Sequence, residues 1–549
     1  MVLRNIFKKQ INSITVAAAL VAISSLASRL LGVFRDRVLG GKFGAGQELD
    51  IYFAAFKVPD LLYSLIVLGA LSAGFIPVFT QLIRDYKCSE NNCEDAYKKN
   101  KEAWLLASNI LTILFFVLLV LSVIGIIFAP FLTKIVAPGF ALEEQEITAS
   151  LTRIMFLSPI FLGISGIIGG MLQSFKRFLI YSLAPIFYNL GIIFGALYLV
   201  DIYGMIGLAW GVVLGAFLHL IIQLPTVFNL GFRYKFSFNI KDKNVREIFR
   251  VMVPRTMSLA ISQVNLLVIT ALASGLASGS LAIFNFANNL QSFPIGIFGI
   301  SFAIAAFPAL SAAAFNKERL AANFSQAFRQ ILFFIVPATT LTIVLRAQIV
   351  RIVYGTGNFS WRDTVLTMDT LAFFALSLFA QATIPLLVRV FYARHNSKLP
   401  FYLGLVSVVV NIVLSLVFSK TMGVAGLALA FSISSILNFF MLFIWLYFDV
   451  GKINILEIVI SVAKFSLAAI LAGLAAQATK SLVWPFIDMT RFSGVLVQLL
   501  SAGFIGTLFY AIACYLFKSK EFFEFLRALK RRWPFKKVKI DDTGEARGL

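Results

Sequence analysis

The stretch Ile110-Leu-Thr-Ile-Leu-Phe-Phe-Val-Leu-Leu-Val-Leu-Ser-Val-Ile-Gly-Ile-Ile-Phe-Ala129 contains no charged residue and no alternation of apolar with polar positions. A helix needs about 20 mostly apolar residues to cross a hydrocarbon core of about 30 Å. A barrel strand would instead alternate apolar and polar residues over about ten positions. In lipid the backbone cannot stay unpaired, and a helix satisfies it locally. The stretch therefore reads as a membrane-spanning helix. Working outward, runs of the same kind fill the chain, and by length about fourteen are candidate spans. They fall at 15–38, 49–82, 104–131, 148–174, 178–200, 203–229, 251–274, 281–311, 328–346, 364–393, 399–418, 424–447, 455–478 and 493–517. Of the 549 residues 59% are hydrophobic and 13% charged, against roughly 25% charged in a soluble protein. Mean hydropathy is +0.89. The expected fold class is an all-α polytopic membrane protein, with almost no sequence left for a soluble domain.

A formal net charge of +22 raises the question of nucleic acid, and the distribution of the charge answers it. With the N-terminus placed inside, 32 lysines and arginines fall on that side of the spans and 8 on the other. This is the positive-inside pattern. Both termini are expected to be cytoplasmic, and no nucleic-acid partner is expected. The basic tail Lys530-Arg-Arg-Trp-Pro-Phe-Lys-Lys-Val-Lys539 suits anionic headgroups, although an ordinary solvated tail has the same composition. The first apolar run carries Arg29 and Arg35 and lacks a small-residue cleavage site, so it reads as a retained span and not a signal peptide. Cys88 and Cys93 lie in a loop expected to face the reducing cytoplasm. His219 and His395 are the only histidines, too few to build a zinc site. No metal or cofactor is expected.

The chain echoes itself at an offset of roughly 220 to 230 residues. Ala73-Gly-Phe-Ile-Pro77 parallels Ala303-Ile-Ala-Ala-Phe-Pro308, and Lys134-Ile-Val-Ala-Pro-Gly-Phe140 parallels Arg351-Ile-Val-Tyr-Gly-Thr-Gly-Asn-Phe359. Gln173-Ser-Phe-Lys176-Arg177 parallels Phe391-Tyr-Ala-Arg394, and Asn189 parallels Asn411. Six spans per unit is an even number, which makes the repeats parallel and puts a binding site between them. The expected organisation is an N-lobe at 1–230, a cytoplasmic linker at 231–250, a C-lobe at 251–447, two further spans at 448–517 and a basic tail at 518–549.

Ionisable residues inside spans are costly and mark function by default. The first span ends Ser28-Arg29-Leu-Leu-Gly32-Val-Phe-Arg35-Asp36-Arg37. Arg29 and Arg35 are six residues apart and cannot share one face of an ideal helix. A bend or break at Gly32 would act as a hinge that aims both guanidiniums into one cavity, where their planar forks suit phosphate oxygens. In the competing reading Arg35 and Arg37 mark an interface and pair with Asp36. Asp50 and Lys57 lie seven apart on one face of the second span, near Pro59 and Asp60, as a gate or as a structural ion pair. Arg153 and Arg255 are snorkelling or cavity-lining. Gln263, Asn265, Asn285, Asn288, Asn289 and Gln291 form a polar stripe on the seventh and eighth spans, as cavity lining or as interhelical packing. No phosphate-binding loop or other enzymatic constellation is present.

The stretch Ser28-Arg-Leu-Leu-Gly-Val-Phe-Arg-Asp36 resembles the opening of the MurJ/MviN flippases, as do Phe43-Gly-Ala-Gly46, Asp50 and Ala55-Phe-Lys-Val-Pro-Asp60. So do Leu68-Gly-Ala-Leu-Ser72, Phe75-Ile-Pro-Val78, Ala137-Pro-Gly-Phe140, Ala184-Pro-Ile-Phe-Tyr-Asn189, Ser262-Gln263, Leu276-Ala-Ser-Gly-Ser280 and Phe293-Pro-Ile-Gly296. The resemblance implies two six-helix lobes plus an extra helix pair, within the multidrug/oligosaccharidyl-lipid/polysaccharide exporter superfamily. It implies alternating access that carries undecaprenyl-diphosphate-linked peptidoglycan precursor across the bacterial cytoplasmic membrane. Its cavity arginines and aspartate correspond to Arg29, Arg35 and Asp50. Three positions depart from the family: Tyr63 stands where an arginine is usual, Val67-Leu68-Gly-Ala70 replaces Gly-Glu-Gly-Ala, and Asn288-Asn289 replaces Asp/Ser-Arg.

The expected protein is a monomeric lipid II flippase, not an enzyme, whose partners are the lipid-linked oligosaccharide and membrane lipids. Arg29, Arg35, Gln263 and Asn289 would bind substrate, and Asp50 and Lys57 would gate. A flippase for another polyprenyl-diphosphate glycan is the nearest alternative. A transport-inactive scaffold for cell-wall synthesis proteins is a second. A cation-coupled multidrug exporter is disfavoured by cavity arginines. A membrane glycosyltransferase would have only Glu143, Glu144 and Glu146 as an outer acidic cluster.

Overall fold

The computed structural model describes residues 14–68, 74–84 and 101–531. The side chains of Leu68 and Arg255, the loop with Cys88 and Cys93, and the tail from 532 lie outside that description. In chain order the α-helices are α1 (Ile14–Phe43), α2 (Gln47–Tyr63), α3 (Ile76–Arg84), α4 (Lys101–Ile127), α5 (Ala129–Val136), α6 (Leu142–Met155), α7 (Leu157–Ser174) and α8 (Phe178–Phe194). They continue as α9 (Val200–Tyr203), α10 (Ile206–Ile221), α11 (Leu224–Asn229), α12 (Lys243–Ser274), α13 (Ser280–Pro294), α14 (Ser301–Ala312), α15 (Lys317–Tyr354) and α16 (Trp361–Ala375). The last are α17 (Leu378–Ala393), α18 (Lys398–Met422), α19 (Val424–Val450), α20 (Ile455–Val483), α21 (Phe492–Leu516) and α22 (Lys520–Arg531).

The expected apolar runs fall on helices. By length and apolarity, ten helical stretches among the described residues can cross a membrane, or eleven if α16 and α17, bent by 47°, form one span. In α12, where the side chains of 253–255 and 257–259 lie outside the description, Ala260–Ser274 is a shorter apolar segment. Neither α1 nor the second run is among the stretches counted, and the expected number of about fourteen is not reached.

Local chemistry sets several helix ends. Asp242 caps α12 by accepting from the backbone N–H of Asn244 and Val245, and Ser360 and Asp363 form a reciprocal capping box on α16, which satisfies donors a helix start leaves unpaired. One turn recurs. Gly204 after α9 has φ 60° and ψ −146°, and Gly423 after α18 has φ 59° and ψ −136°. The surrounding Gly204-Met-Ile-Gly-Leu-Ala209 and Gly423-Val-Ala-Gly-Leu-Ala428 are a further echo in sequence.

The chain forms two compact units. The first comprises Met1–Phe293, Arg346–Gln381 and His395–Ile444. Within it, α8 and α10 touch backbone to backbone, so that a Cβ added to Gly191 would lie 2.3 Å from Gly215 Cα. Small residues allow such close approach between membrane helices. The linker is pinned along α4: Asn109 Nδ2 donates to Asn239 O at 2.9 Å, and Asn239 N–H donates back to Asn109 Oδ1 at 2.8 Å. Tyr234 Oη lies 2.9 Å from Thr112 Oγ1. From Lys243 onward the linker is already the first turns of α12.

The second unit comprises Pro294–Leu345, Ala382–Arg394 and Trp445–Leu549. Here α20 and α21 form a hairpin against the first part of α15. Tyr510 Oη donates to Phe333 O at 2.7 Å, and Phe333 meets the rings of Phe465 and Tyr510, each at 5.6 Å. Lys480 Nζ donates to Val344 O at 2.9 Å. The amphipathic α22 folds back so that Glu521, 5% exposed, lies 3.4 Å from Arg329 and accepts from Ser461 at 3.1 Å.

Candidate functional site

The helix α1 runs unbroken through Gly32. An interior glycine costs a helix only about 1 kcal/mol, too little to break one of 30 residues. At 100° per residue Arg29 and Arg35 therefore leave the helix about 120° apart, and the expected break that would bring them together is absent. Arg29 is exposed. Arg35 is engaged. Its Nε and Nη2 donate to Asp36 Oδ1 at 3.0 and 2.7 Å, and its Nη1 donates to Asn189 Oδ1 at 3.1 Å. The other carboxylate oxygen of Asp36 accepts from Asn289 Nδ2 at 2.7 Å. Asn189 is held in turn by Nδ2 donating to Pro185 O at 3.0 Å. Asp36 is 1% exposed. One buried ion pair thus ties α1 to α8 and to α13 through two amides. A charge-assisted bond is about twice as strong as a neutral one, and an unpaired charge here would be costly.

Arg37 does not stay on its own helix. Its guanidinium donates to the carbonyls of Ile352 and Val353, the latter at 3.2 Å, in the last turn of α15. A cation at a helix C-terminus is favoured there. Asp50 and Lys57 do not pair with each other. Asp50, 4% exposed, accepts from the backbone N–H of Gly279 and of Ala282, both at 2.7 Å. A residue of α2 therefore caps the start of α13. Lys57 Nζ donates to Asn285 Oδ1 at 3.4 Å.

Around Asp50 four loops close one end of the first unit. Asn358 N–H donates to Gly41 O at 2.8 Å, and Asn358 Nδ2 to Lys42 O at 2.6 Å. Gly139 N–H donates to Ser274 Oγ at 3.1 Å. Lys42 pairs with Asp201 at 2.5 Å, and Gln47 bonds Glu144. At Gly279 (φ +89°) an added Cβ would lie 1.9 Å from Ala45 O. Below this layer Leu49, Leu281, Phe286 and Tyr354 form part of an apolar core.

The polar stripe divides. Asn289 joins the ion pair and Asn285 holds Lys57. Asn265 Oδ1 accepts from Asn411 Nδ2 at 2.7 Å, and Gln291 Oε1 accepts from Gln381 Nε2 at 2.9 Å; these two follow the packing reading. Gln263 is half-buried. Tyr63, also half-buried, ends α2. Reading the sequence missed Asn189 as a partner of Arg35, and missed Asn358 and Ser274 at the closure. The Gly355-Thr-Gly-Asn358 turn opposite Gly44-Ala-Gly46 was an available signal for the closure. Arg389 and Lys464, both within apolar helices, were missed as well. Arg389 is tied to Pro385 O at 3.2 Å on its own helix.

Asp50→Asn tests the cap. The amide keeps one acceptor for two N–H donors and turns a donor toward the other, a cost of about 1–3 kcal/mol. With Cys88, Cys93 and Cys514 replaced, a cysteine at Ser280, which is 5% exposed, should then react with maleimide about tenfold faster than in the Asp50 background. Unchanged labelling would show that the cap does not hold this end closed.

The family model described as lipid II flippase MurJ matches residues 41–496. A probable lipid II flippase MurJ of Rhizobium tropici is 30% identical over 435 residues, 77% of this chain and 79% of that one. The lipid II flippase MurJ of Burkholderia cenocepacia is 27% identical over 443 residues, 78% and 83% of the two chains. Among solved structures, lipid II flippase MurJ in an inward closed conformation superposes with a TM-score of 0.73 at 24% identity, over 93% of this chain and 100% of that one. An inward-facing multidrug resistance transporter of the MATE family superposes at 0.64 and 16% identity, over 79% and 99%. A helical membrane chain with this fold, matched along most of its length by the family's own model, belongs to the MurJ lipid II flippase family.

Proposed function

We propose that this protein is a flippase that moves undecaprenyl-diphosphate-linked peptidoglycan precursor from the inner to the outer leaflet of the bacterial cytoplasmic membrane by alternating access. Family membership supports the cargo. The single observation that carries the mechanism is the buried Arg35–Asp36 pair held between Asn189 and Asn289. A charge pair at the junction of three apolar helices marks function in a membrane protein.

In this reading both termini are cytoplasmic, and the closed end around Gly279 faces outward. Cargo enters from the inner leaflet and its diphosphate meets Arg29, which is exposed. The diphosphate then competes with Asp36 for Arg35, whose fork binds phosphate as well as carboxylate. Loss of that ion pair frees Asp36 and Asn289, loosening α1 from α13. Asp50 and Lys57 hold the same helix from α2 and act as the gate. Gln263 and Asn289 contact the headgroup, and Tyr63 contributes a phenol where relatives carry a cation. The lobes 1–230 and 251–447 would move against each other during the cycle. Displacing a charge through the membrane potential is worth about 2.3 kcal/mol per 100 mV, enough to bias such a step.

Complementation of a strain depleted of its own lipid II flippase tests the reading. Wild type should restore growth, and Arg29→Ala should cut rescue by at least tenfold at equal expression. Failure of an expressed and inserted wild type would remove the lipid II assignment. Full rescue by Arg29→Ala would remove the diphosphate role of that residue alone.

A further inference from the structure

The chain leaves α21 through a turn that sets a cation where glycine is usual. Lys518 has φ 50°, and the only other non-glycine residues with positive φ among the described ones are Lys176 and His395. Lys518 N–H donates to Tyr515 O at 3.1 Å and Ser519 N–H to Cys514 O at 3.0 Å, the pattern of a helix end that favours glycine. One face of α22 is then fixed to the second unit by Glu521 and by the ring of Phe525, 5.4 Å from that of Phe334.

Between the other side of α22 and the end of α21 lies a groove of ≈ 570 Å³. Its apolar wall is Tyr515 and Leu516, 58% and 67% exposed, with the ring of Phe523 tilted against that of Tyr515 at 5.7 Å. Its cations are Lys518, Lys520 and Arg527. Lys520 is neutralised by Glu457 at 3.0 Å, and Glu524 accepts from Gln330 at 3.3 Å. Lys518 is exposed and has no carboxylate partner among the described residues, and Arg527 only turns back to Phe523 O at 3.4 Å on its own helix. Lys518 and Arg527, with no carboxylate paired to either among the described residues, thus stand over an open apolar wall in a groove whose cations outnumber its one carboxylate, Glu524. The sequence adds Lys530, Arg531 and Arg532 immediately beyond.

We propose that this groove binds the headgroup phosphate of an anionic membrane phospholipid, with Lys518 and Arg527 on the phosphate oxygens and an acyl chain along Tyr515 and Leu516. Charge complementarity selects the phosphate, since basic residues directly after a span attract anionic lipid. The apolar wall selects a lipid over a free anion, which would leave Tyr515 and Leu516 uncovered. An amphipathic helix with aromatic and basic residues lies in the membrane interface for the same reasons. The groove shares no residue with the Arg35 network, and the proposal stands whether or not the cargo is lipid II.

The test is native mass spectrometry of the full chain in detergent, titrated with phosphatidylglycerol or phosphatidylcholine. Wild type should retain phosphatidylglycerol in preference, and Lys518→Gly/Arg527→Gln should retain it roughly tenfold less. Thermal unfolding should not fall in Lys518→Gly, because glycine relaxes the positive φ; that single variant serves if the double one does not fold. Lys536→Gln/Lys537→Gln/Lys539→Gln in the tail should bind as wild type. Equal retention of the two lipids, undiminished binding by the groove variants, or loss in the tail variant alone would overturn the site. Displacement of phosphatidylglycerol by inorganic phosphate at matched concentration would assign the groove to a free anion instead.

Discussion

Gly279→Val is expected to abolish flipping while leaving a folded, inserted protein. The backbone at Gly279 has φ +89°, and a Cβ there would lie 1.9 Å from Ala45 O and 2.8 Å from its carbonyl carbon. A β-branched residue is a genuine outlier at positive φ, and the overlap is with backbone, which cannot turn aside. The same peptide N–H donates to Asp50, so displacing it also uncaps α13. Moving a two-state equilibrium from 99:1 to 1:99 takes about 5.5 kcal/mol, and strain plus overlap plus a lost charge-assisted bond reach that scale. Complementation should fail, and a cysteine at the buried Ser280 should label to completion. Gly404→Val is the control, because an added Cβ at Gly404 meets nothing within 4 Å; it should complement as wild type. Complementation by Gly279→Val would show that the end around Gly279 need not close as described.

Asp36→Asn should be nearly as damaging, by electrostatics instead of sterics. Asp36 is 1% exposed and accepts from both Arg35 and Asn289. Breaking one partner of a buried pair costs about 3–5 kcal/mol because the remaining charge is left uncompensated. The asparagine retains the shape, so the loss isolates charge from packing. The expected result is a lower thermal unfolding temperature in detergent and a loss of rescue by two orders of magnitude or more. Arg35→Gln/Asp36→Asn removes both charges and should recover most of the stability, since residues in contact are non-additive. It should not recover transport if Arg35 meets the cargo diphosphate. A double variant that regains both would make the pair purely structural, and an unaffected Asp36→Asn would deny it any role.

Reading the chain picked out polar residues within apolar helices but not the partners they meet. Arg35, Asp36, Asp50, Lys57 and Asn289 stood out because each is polar within an apolar helix. Their geometry was not legible. Asp50 and Lys57 share a helix face, which suggested a mutual pair, yet each bonds a group some 228 to 229 residues away. Gly32 suggested a break because glycine is the weak point of a helix, but neighbouring turns outweigh one weak residue. The linker at 231–250 read as a tether because it is polar and basic; its bonds from Asn239 to Asn109 and from Tyr234 to Thr112 pin it along α4.

What the sequence by itself determined was the membrane-spanning helical character, the sites where charge intrudes on it, and the family. These depend on hydropathy over about 20 residues and on short motifs, both of which are local. What only the tertiary structure decided was the pairing of those charges. Arg35 meets Asn189 and Asp36 meets Asn289 across sequence separations of 154 and 253 residues. Which acceptor a buried donor finds depends on how packed helices are rotated about their axes, and no stretch of sequence contains that rotation.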